Sequence, residues 1–528
     1  MLTPMDNQNL FVALRAAFPA DLDQVAIECA DGPAASHPAG ASYRWCDLER
    51  GTAMLANLLA SLNLPDGSRV AVQTEKSVEA LMLYLAVLRA GHVFLPLNTA
   101  YQAAEIEYFI GNAEPAVVVC SPKNFAWVSR IAFSAGTQQV FTLGEARDGS
   151  LLDRAAHFSD QHEPVARQAD DLAAILYTSG TTGRSKGAML SHGNLLSNAR
   201  TLKAYWDWQP DDVLVHALPI FHVHGLFVAI HGALLNGSKM IWFGRFDPRA
   251  VIARLPEATV FMGVPTLYVR MLAEATLTRE ACRRMRVFIS GSAPLLVETF
   301  DAWTERTGHT LLERYGMSET VMLTSNPCRA ADGPRRRGTV GPALPGVGLR
   351  VRDDAGQPCK SGEIGQIQVS GPNVFAGYWR MPEKTEEEFT ADGWFKTGDV
   401  GHIDADGYVT IVGRSKDLII SGGYNVYPAE IESVINELPG VAESAVIGVP
   451  HADFGEAVVA VLVARPGAAI DPAAMIAGLK GQIANFKVPK RVFVVDDLPR
   501  NAMGKVQKNL LREQHQGLFQ QPVAPPAP

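Results

Sequence analysis

Residues 172–187 read LAAILYTSGTTGRSKG, and this stretch determines the fold that we expect for the chain. An apolar run, typical of a buried strand, leads into a loop with three glycines and five hydroxyl-bearing residues. Glycine lets the backbone approach a ligand closely, while hydroxyl groups, backbone N–H groups and Lys186 can contact phosphate oxygens. The segment is therefore predicted to bind a polyphosphate. It is not a Walker A loop, because Ser185 stands where that pattern has glycine, and the alternative is a flexible surface turn.

Outward from this loop, apolar runs alternate with helical patterns. Residues 77–91 (SVEALMLYLAVLRAG) predict a helix, whereas residues 115–120 (PAVVVC) and the start of residues 286–295 (RVFISGSAPL) predict strands. This alternation predicts an α/β fold with mostly parallel sheets covered by helices.

After Asp399 the sequence becomes a series of short polar segments, and the pair Asp406–Gly407 predicts a turn between two strands. A helix is expected around residues 472–486, within a smaller α+β unit. We predict a large N-terminal domain (residues 1–414), a small mobile C-terminal domain (415–518) and a flexible Pro/Ala tail (519–528).

Composition limits the partners and the location of the protein. The 528 residues include 47 Lys+Arg and 55 Asp+Glu, a net charge of −8, so no overall basic field favours nucleic acid or an anionic membrane. The six cysteines form no C-x-x-C pair, and the N-terminus has no basic start followed by a long apolar run. Both observations favour a reducing, cytoplasmic location. Residues 213–238 lack charged side chains, but their histidines and proline predict protein core rather than a membrane span.

Further motifs follow the loop in a characteristic order. They are PIFHVHGL from Pro219, GVPT from Gly263, ISGSAPL from Ile289, ERYGMSET from Glu313, GWFKTGD from Gly393, GRSKDLIISGGYNVYP from Gly413 and PRNAMGK from Pro499. Together with TSGTTGRSKGAMLSH, these motifs resemble the superfamily of adenylate-forming enzymes, which contains acyl-CoA synthetases, luciferases and the adenylation domains of peptide synthetases. The resemblance covers essentially the whole chain. It implies ATP, Mg²⁺ and coenzyme A as cofactors or substrates.

The resemblance also implies roles for individual residues. Tyr315 would border the adenine, Asp399 would bind the ribose hydroxyls with help from Arg414, and Glu319 would give a carboxylate to Mg²⁺, with Thr178 as a second metal ligand. The predicted catalytic residues are Lys505, Glu319 and His222. The predicted ATP and AMP contacts are Thr178, Ser179, Gly180, Thr181, Thr182, Gly183, Lys186, Ser292, Ala293, Pro294, Glu313, Arg314, Tyr315, Gly316, Met317, Ser318, Asp399 and Arg414.

Lys505 would supply the cation that the first reaction step requires, because negative charge grows at the α-phosphate when a carboxylate attacks it. By resemblance, Lys416 is the hinge about which the small domain swings before CoA attacks, and Gly422 and Gly423 line the CoA passage. Acylation of Lys505 would silence the first step, so a lysine acyltransferase or deacylase is an expected partner.

The acid to be activated is inferred from Arg270. It is the only charged residue in the segment ATVFMGVPTLYVRML, and a buried arginine requires a partner such as a second carboxylate on the substrate. Alternatively, Arg270 reaches solvent or pairs with a protein carboxylate. His222 and His224 would likewise suit a short polar diacid, although either could be a hydrogen-bonded core histidine. The predicted acid contacts are Arg270, His224, Val223, Ser290, Gly291 and Met322.

Within the superfamily the motifs are most similar to those of malonyl-CoA synthetases. We therefore predict an AMP-forming malonate–CoA ligase, with methylmalonate as a possible second substrate. The alternatives are a ligase for a coumarate-type or medium-chain acid, an enzyme that loads a carrier protein, or a non-catalytic nucleotide-binding regulatory module.

Overall fold

A computed structural model of the chain describes residues 7–31, 41–178, 185–421, 424–451, 454–480, 482–501 and 504–519. The chain divides into two units. The large unit comprises Met1–Leu295, Thr299–Gly348 and Val369–Phe395, and the small unit comprises Leu296–Glu298, Leu349–Gln368 and Lys396–Pro528. The predicted domain boundary after residue 414 remains a prediction.

The α-helices are α1 (Leu10–Arg15), α2 (Trp45–Ser61), α3 (Val78–Arg89), α4 (Ala103–Ala113), α5 (Phe125–Ser134), α6 (Ser150–Ala155), α7 (His192–Tyr205), α8 (His231–Asn236), α9 (Pro248–Arg254), α10 (Pro265–Leu272), α11 (Val297–Thr307), α12 (Pro382–Glu388), α13 (Pro428–Asn436), α14 (Pro472–Leu479) and α15 (Lys508–His515). The strands are β1 (Val25–Cys29), β2 (Ser42–Arg44), β3 (Arg69–Gln73), β4 (Val93–Pro96), β5 (Val117–Cys120), β6 (Gln139–Thr142), β7 (Leu172–Thr178), β8 (Lys186–Ser191), β9 (Val213–His216), β10 (Lys239–Trp242), β11 (Val260–Gly263), β12 (Val287–Ser290), β13 (Leu312–Tyr315), β14 (Thr324–Ser325), β15 (Gly348–Arg352), β16 (Gly365–Ser370), β17 (Gly377–Tyr378), β18 (Phe395–Ile403), β19 (Val409–Arg414), β20 (Ile419–Ser421), β21 (Tyr424–Val426), β22 (Val441–His451), β23 (Gly455–Ala464) and β24 (Arg491–Val495).

Two sheets form the large unit. One has the strand order β14-β13-β12-β11-β9-β10-β1-β2 and the other β17-β8-β7-β4-β3-β5-β6. The inner strands are parallel, and antiparallel strands lie at an edge of each sheet. The predicted α/β class with mostly parallel sheets is confirmed.

Helix α3 shows why the apolar runs of this chain fold as helices between layers. All twelve of its residues are buried, so the helix is covered on every side, and only Glu79 and Arg89 among them are charged. Its one guanidinium, on Arg89, is paired with Glu49 at 2.9 Å and donates to the His162 carbonyl oxygen. Burial of a charge is tolerated here because it is paired and hydrogen-bonded.

The uncharged segment 213–238 is protein core, as predicted. It contains β9, a π-helix (His224–Ile230) whose residues are all buried, and α8. Within the described ranges, no helix combines the length and the apolarity that crossing a membrane requires.

The small unit contains two sheets. The first has four strands in the order β15-β16-β18-β19, and a few residues at the ends of these strands belong to the large unit. The second has five strands, β20 to β23 and β24. Alternate residues of β22 point to opposite faces of the second sheet: Val446 packs with α13 and α14, and Ile447 packs with α15. The turn predicted at Asp406–Gly407 is confirmed between β18 and β19. The helix predicted over residues 472–486 ends earlier, at Leu479.

Candidate active site

The predicted phosphate loop connects two antiparallel strands of the large unit. Strand β7 ends at Thr178, β8 begins at Lys186, and these two residues are register partners. The Thr178 hydroxyl donates to the Lys186 carbonyl oxygen at 3.4 Å. The structure thus places both ends of the loop. The predicted ligands between them, which lie outside the described residues, are Ser179, Gly180, Thr181, Thr182 and Gly183.

Lys186 belongs to a polar network that reaches the predicted metal carboxylate. Its Nζ lies 2.9 Å from Glu388 Oε1 and 4.3 Å from the ring centroid of Tyr378. The Tyr378 hydroxyl donates to Glu319 Oε1 at 2.9 Å. Tyr378 and Glu319 are only 3% and 5% exposed. One tyrosine therefore lies between the lysine predicted to bind phosphate and the carboxylate predicted to bind Mg²⁺.

Sequence reasoning missed both Tyr378 and Glu388. The available signal was a tyrosine in an apolar stretch, since a buried tyrosine hydroxyl usually has a hydrogen-bond partner. The partner itself is 59 residues away in sequence, so local patterns could not identify it.

A second cluster lies at the carboxyl end of β12, beside β13. Parallel strands bring their carboxyl ends to one edge of a sheet, which is where α/β proteins bind ligands. Gly291 follows β12 and lies against the guanidinium of Arg314, because a Cβ at Gly291 would lie 2.6 Å from Arg314 Cζ. Arg314 is 2% exposed, and its Nε and Nη2 have no hydrogen-bond partner in the described part of the chain. Ser290 is also buried here, with its hydroxyl unpartnered.

Two histidines of the PIFHVHGL segment are held as neutral imidazoles. His224 Nδ1 lies 3.3 Å from the Ser292 hydroxyl oxygen. Burial lowers the pKa of His224 well below its usual range, with a further contribution from the charge of Arg314. Burial also lowers the pKa of His222 to about 4. Burial lowers the pKa of Arg314 to about 9, so this group remains charged at neutral pH. The cluster therefore carries one buried positive charge beside uncharged polar groups.

A cleft in the large unit brings residues of three predicted roles together. His222, Val223 and Ser318 line it, with Tyr177 and Asn98 on the remaining wall. They were predicted as a catalytic residue, an acid contact and a nucleotide contact, respectively. Met322, another predicted acid contact, is buried in the same unit.

The other predicted nucleotide contacts follow β12 and β13. Residues 315–318, which include Tyr315 and Met317, are half-buried, while Ala293 is half-buried and Pro294 is exposed. At Gly316 a Cβ would lie 1.9 Å from the Val321 carbonyl oxygen, so only glycine fits this turn. Burial raises the pKa of Glu313 to about 8, even though the Leu295 N–H donates to its Oε1 at 3.3 Å.

Arg270 does not lie where the sequence predicted. The expected buried arginine in an apolar wall is wrong, because the residue is exposed. Helix α10 buries Leu267, Tyr268 and Met271, whereas the neighbouring apolar Val269 is 50% exposed. An apolar sequence around an arginine therefore did not imply burial on all sides of this helix.

Several predicted residues belong to the small unit. Arg414 and Asp399 are register partners across β18 and β19, and Arg414 Nε lies 2.8 Å from Asp399 Oδ1. Desolvation and the Arg414 charge lower the pKa of Lys505, and Asp399 opposes this shift. Desolvation, again with Arg414, lowers the pKa of Lys416 to about 8. The structure thus groups these charges within one unit. Gly422 and Gly423 lie outside the described residues.

Comparisons with known proteins cover nearly the whole chain. A family model described as AMP-binding enzyme matches residues 22–379, and one described as AMP-binding enzyme C-terminal domain matches residues 430–505. A malonate–CoA ligase of Arabidopsis thaliana is 35% identical over 479 residues, which is 85% of this chain and 78% of the relative. A feruloyl-CoA synthase of an Amycolatopsis species is 35% identical over 90% of this chain and 94% of its own length. The crystal structure of ATP-bound MatB from Rhodopseudomonas palustris is 56% identical, with a TM-score of 0.93 over 97% of this chain and 100% of that one.

Proposed function

The chain belongs to the AMP-binding enzyme family, and from this membership we propose that it is an AMP-forming malonate–CoA ligase. The predicted membership in the adenylate-forming superfamily is confirmed, and with it the enzyme class, an AMP-forming acyl-CoA ligase that uses ATP, Mg²⁺ and CoA. In the proposed reaction, a malonate carboxylate attacks the α-phosphate of ATP, which releases pyrophosphate and gives malonyl-adenylate. The CoA thiol then attacks the acyl carbon and AMP leaves. Methylmalonate is a proposed second substrate.

Arg314, which the sequence placed among the predicted nucleotide contacts, is instead proposed to bind the acid, and it is the observation that carries malonate. Its guanidinium is buried beside Gly291, and two of its nitrogens have no partner in the described ranges. A buried charge without a partner is unfavourable, and a carboxylate is the partner that a guanidinium binds best. The remote carboxylate of malonate would supply this partner, whereas an aliphatic acid would leave the charge unpaired.

The neutral polar groups beside Arg314 support the same choice. His224 and Ser292 can hydrogen-bond a carboxylate oxygen, and the buried apolar side chains of Val223 and Met322 are proposed to border the carbon chain of the acid. His222 is proposed to act as a neutral imidazole at the reacting end of the acid. We retain Arg270 as an outer contact for the remote carboxylate, because it is an exposed guanidinium.

The residues at the phosphate loop fit a magnesium–ATP complex. No group of three or more acidic, histidine or cysteine side chains among the described residues could hold a metal alone, so most ligands of such an ion would be phosphate oxygens and water. Glu319 supplies a buried carboxylate, and Thr178 places a hydroxyl at the base of the loop. When bound, Mg²⁺ neutralises phosphate charge. Lys186 would contact the phosphates, as the loop sequence predicts.

The small unit supplies the remaining proposed roles. Asp399 binds the ribose hydroxyls, assisted by Arg414, and Lys505 stabilises the charge that develops at the α-phosphate. The positive charge of Lys505 suits an anionic ligand. Lys416 acts as the hinge for the second half-reaction, and Gly422 and Gly423 admit the CoA arm. Acylation of Lys505 would remove its charge and stop the first step. A cytoplasmic location remains a prediction, which the six free cysteines favour.

A substrate screen tests the proposal. Pyrophosphate release is measured with malonate, methylmalonate, acetate, octanoate and coumarate, each with and without CoA. We expect the highest kcat/KM for malonate, with the thioester formed only when CoA is present. A preference for coumarate would instead favour the activity named for the feruloyl-CoA synthase relative. Absence of any adenylate would support a non-catalytic nucleotide-binding module.

A further inference from the structure

Residues 373–378, here called the crossing segment, connect the Glu319 loop with the phosphate loop. At one end, Asn373 Nδ2 donates to the carbonyl oxygens of Thr320 and Met322 at 2.7 and 3.0 Å. The Phe375 N–H donates to the Glu319 carbonyl oxygen at 2.8 Å. At its other end, the segment enters β17, which pairs with β8, the strand that follows the phosphate loop. The two loops are therefore joined by backbone hydrogen bonds through one short piece of chain.

Tyr378 ends the crossing segment and has contacts to both loops through its side chain. Its hydroxyl donates to Glu319 Oε1 at 2.9 Å, and Lys186 Nζ lies 4.3 Å from its ring centroid. A hydrogen bond to a carboxylate is stronger than one between neutral groups, and loss of a buried donor leaves the acceptor unsatisfied. A cation against the ring is attracted to its electrons. Tyr378 thus orients the Glu319 carboxylate through its hydroxyl and attracts the Lys186 ammonium through its ring.

The position of the Tyr378 ring is fixed by its own backbone. The Tyr378 N–H donates to Thr385 Oγ1 at 2.9 Å, and Thr385 Oγ1 donates to the Met381 carbonyl oxygen at 2.9 Å. Gly377 has φ +131°, and a Cβ there would lie 2.7 Å from Thr385 Cγ2. Close packing against α12 therefore keeps the crossing segment, and with it the hydroxyl, in one place.

We propose that Tyr378 is a positioning residue that orients the Glu319 carboxylate for the metal bound to ATP and couples it to Lys186 of the phosphate loop. This inference rests on the proposed function, because it needs a metal–nucleotide complex at these loops. Tyr378 does not touch the reacting atoms in this scheme. It acts through Glu319, so its removal should alter metal-dependent binding rather than recognition of the acid.

The test is Tyr378→Phe, which keeps the ring and its contact with Lys186 but removes the hydroxyl. Dissociation constants are measured by calorimetry for MnATP and for metal-free ATP in EDTA, both without any acid. We expect the MnATP constant to rise about tenfold while the metal-free constant stays within twofold of the wild type. In pyrophosphate exchange, the Mg²⁺ concentration for half-maximal rate should rise about tenfold, with an unchanged KM for malonate.

Tyr84→Phe is the matched control. Tyr84 is a buried tyrosine whose hydroxyl lies 2.8 Å from His231 Nε2, away from both loops. Its loss should lower thermal stability without changing the ratio of the two ATP constants. The proposal is overturned if Tyr378→Phe leaves the MnATP constant unchanged, if it weakens metal-free ATP equally, or if Tyr84→Phe gives the same shift. A wild-type protein that binds MnATP but shows no exchange with malonate would reject the proposed acid and leave this inference standing.

Discussion

Arg314 lies in β13, and Arg270 lies in α10, the helix that follows β11 of the same sheet, yet their environments are opposite. Arg314 is in a motif dominated by polar and small residues, and it is buried with two nitrogens that have no hydrogen-bond partner among the described residues. Arg270 is in an apolar segment, and it is exposed. The hydrophobicity of neighbours in sequence is therefore a poor guide to the burial of a charge. A guanidinium without a partner inside the protein indicates a ligand more strongly than one at the surface.

The largest expected effect is that of Arg314→Met, which removes the buried charge but keeps much of the volume. Breaking a buried ion pair costs about 3–5 kcal/mol, so kcat/KM for malonate should fall by about two to four orders of magnitude. Thermal stability should stay equal or rise, because an uncompensated charge has left the core. An equal fall with acetate, or a large loss of Tm, would show that Arg314 is structural.

Glu313 precedes Arg314 on β13, and its side chain points to the other face of the strand. Its titration tests whether a second buried ionisable group of this strand lacks a compensating charge. Burial raises its pKa from 4.5 to about 8, so between these values the folded state retains a proton that the unfolded state has lost. Stability from this group therefore falls as pH rises through that range, and the loss is complete above about pH 8.

Glu313→Gln removes this titration. The free energy of unfolding of the variant, relative to that of the wild type, should be about 2–4 kcal/mol higher at pH 9 than at pH 5. The difference in Tm between the two proteins should accordingly grow by about 4 °C or more over this range. Denaturation measured at both pH values checks the result. A Tm difference that is the same at pH 5 and pH 9 would mean that Glu313 is not held neutral.

Arg270→Ala provides the contrast with Arg314. A solvent-accessible guanidinium that contacts the remote carboxylate should contribute about 1–2 kcal/mol, so KM for malonate should rise about tenfold with little change in kcat. Acetate kinetics and Tm should be unchanged. If Arg270→Ala had no effect on malonate, recognition of the second carboxylate would rest on Arg314 alone.

The smallest effect is expected at Glu388, the internal partner of Lys186. Their ion pair is partly exposed and worth about 0.5 kcal/mol, and ATP must compete with it for the lysine. Glu388→Gln should therefore lower KM for ATP about twofold without altering the malonate kinetics. Glu387→Gln is the control, because Glu387 pairs with Lys384 of the same helix. A rise in KM for ATP would indicate that Glu388 holds Lys186 in its binding position.

The sequence alone determined the fold class and the family. Apolar runs with helical or strand periodicity depend on local spacing, which is why the predictions for α3, β5, β7 and β12 are confirmed. The motifs also led to the proposed roles of Lys186 and Glu319, since glycine-rich loops and acidic residues at fixed spacing carry their chemistry in short segments.

Which arginine is buried, and the contacts of Tyr378 and Glu388, became visible only in the folded structure. Burial depends on elements that meet from distant parts of the chain: Gly291 after β12 leaves the space that the Arg314 guanidinium fills, and β17 brings Tyr378 beside Lys186. Local sequence sets which element forms, whereas the solvation of a charge and the partner of a hydroxyl are set by packing between elements.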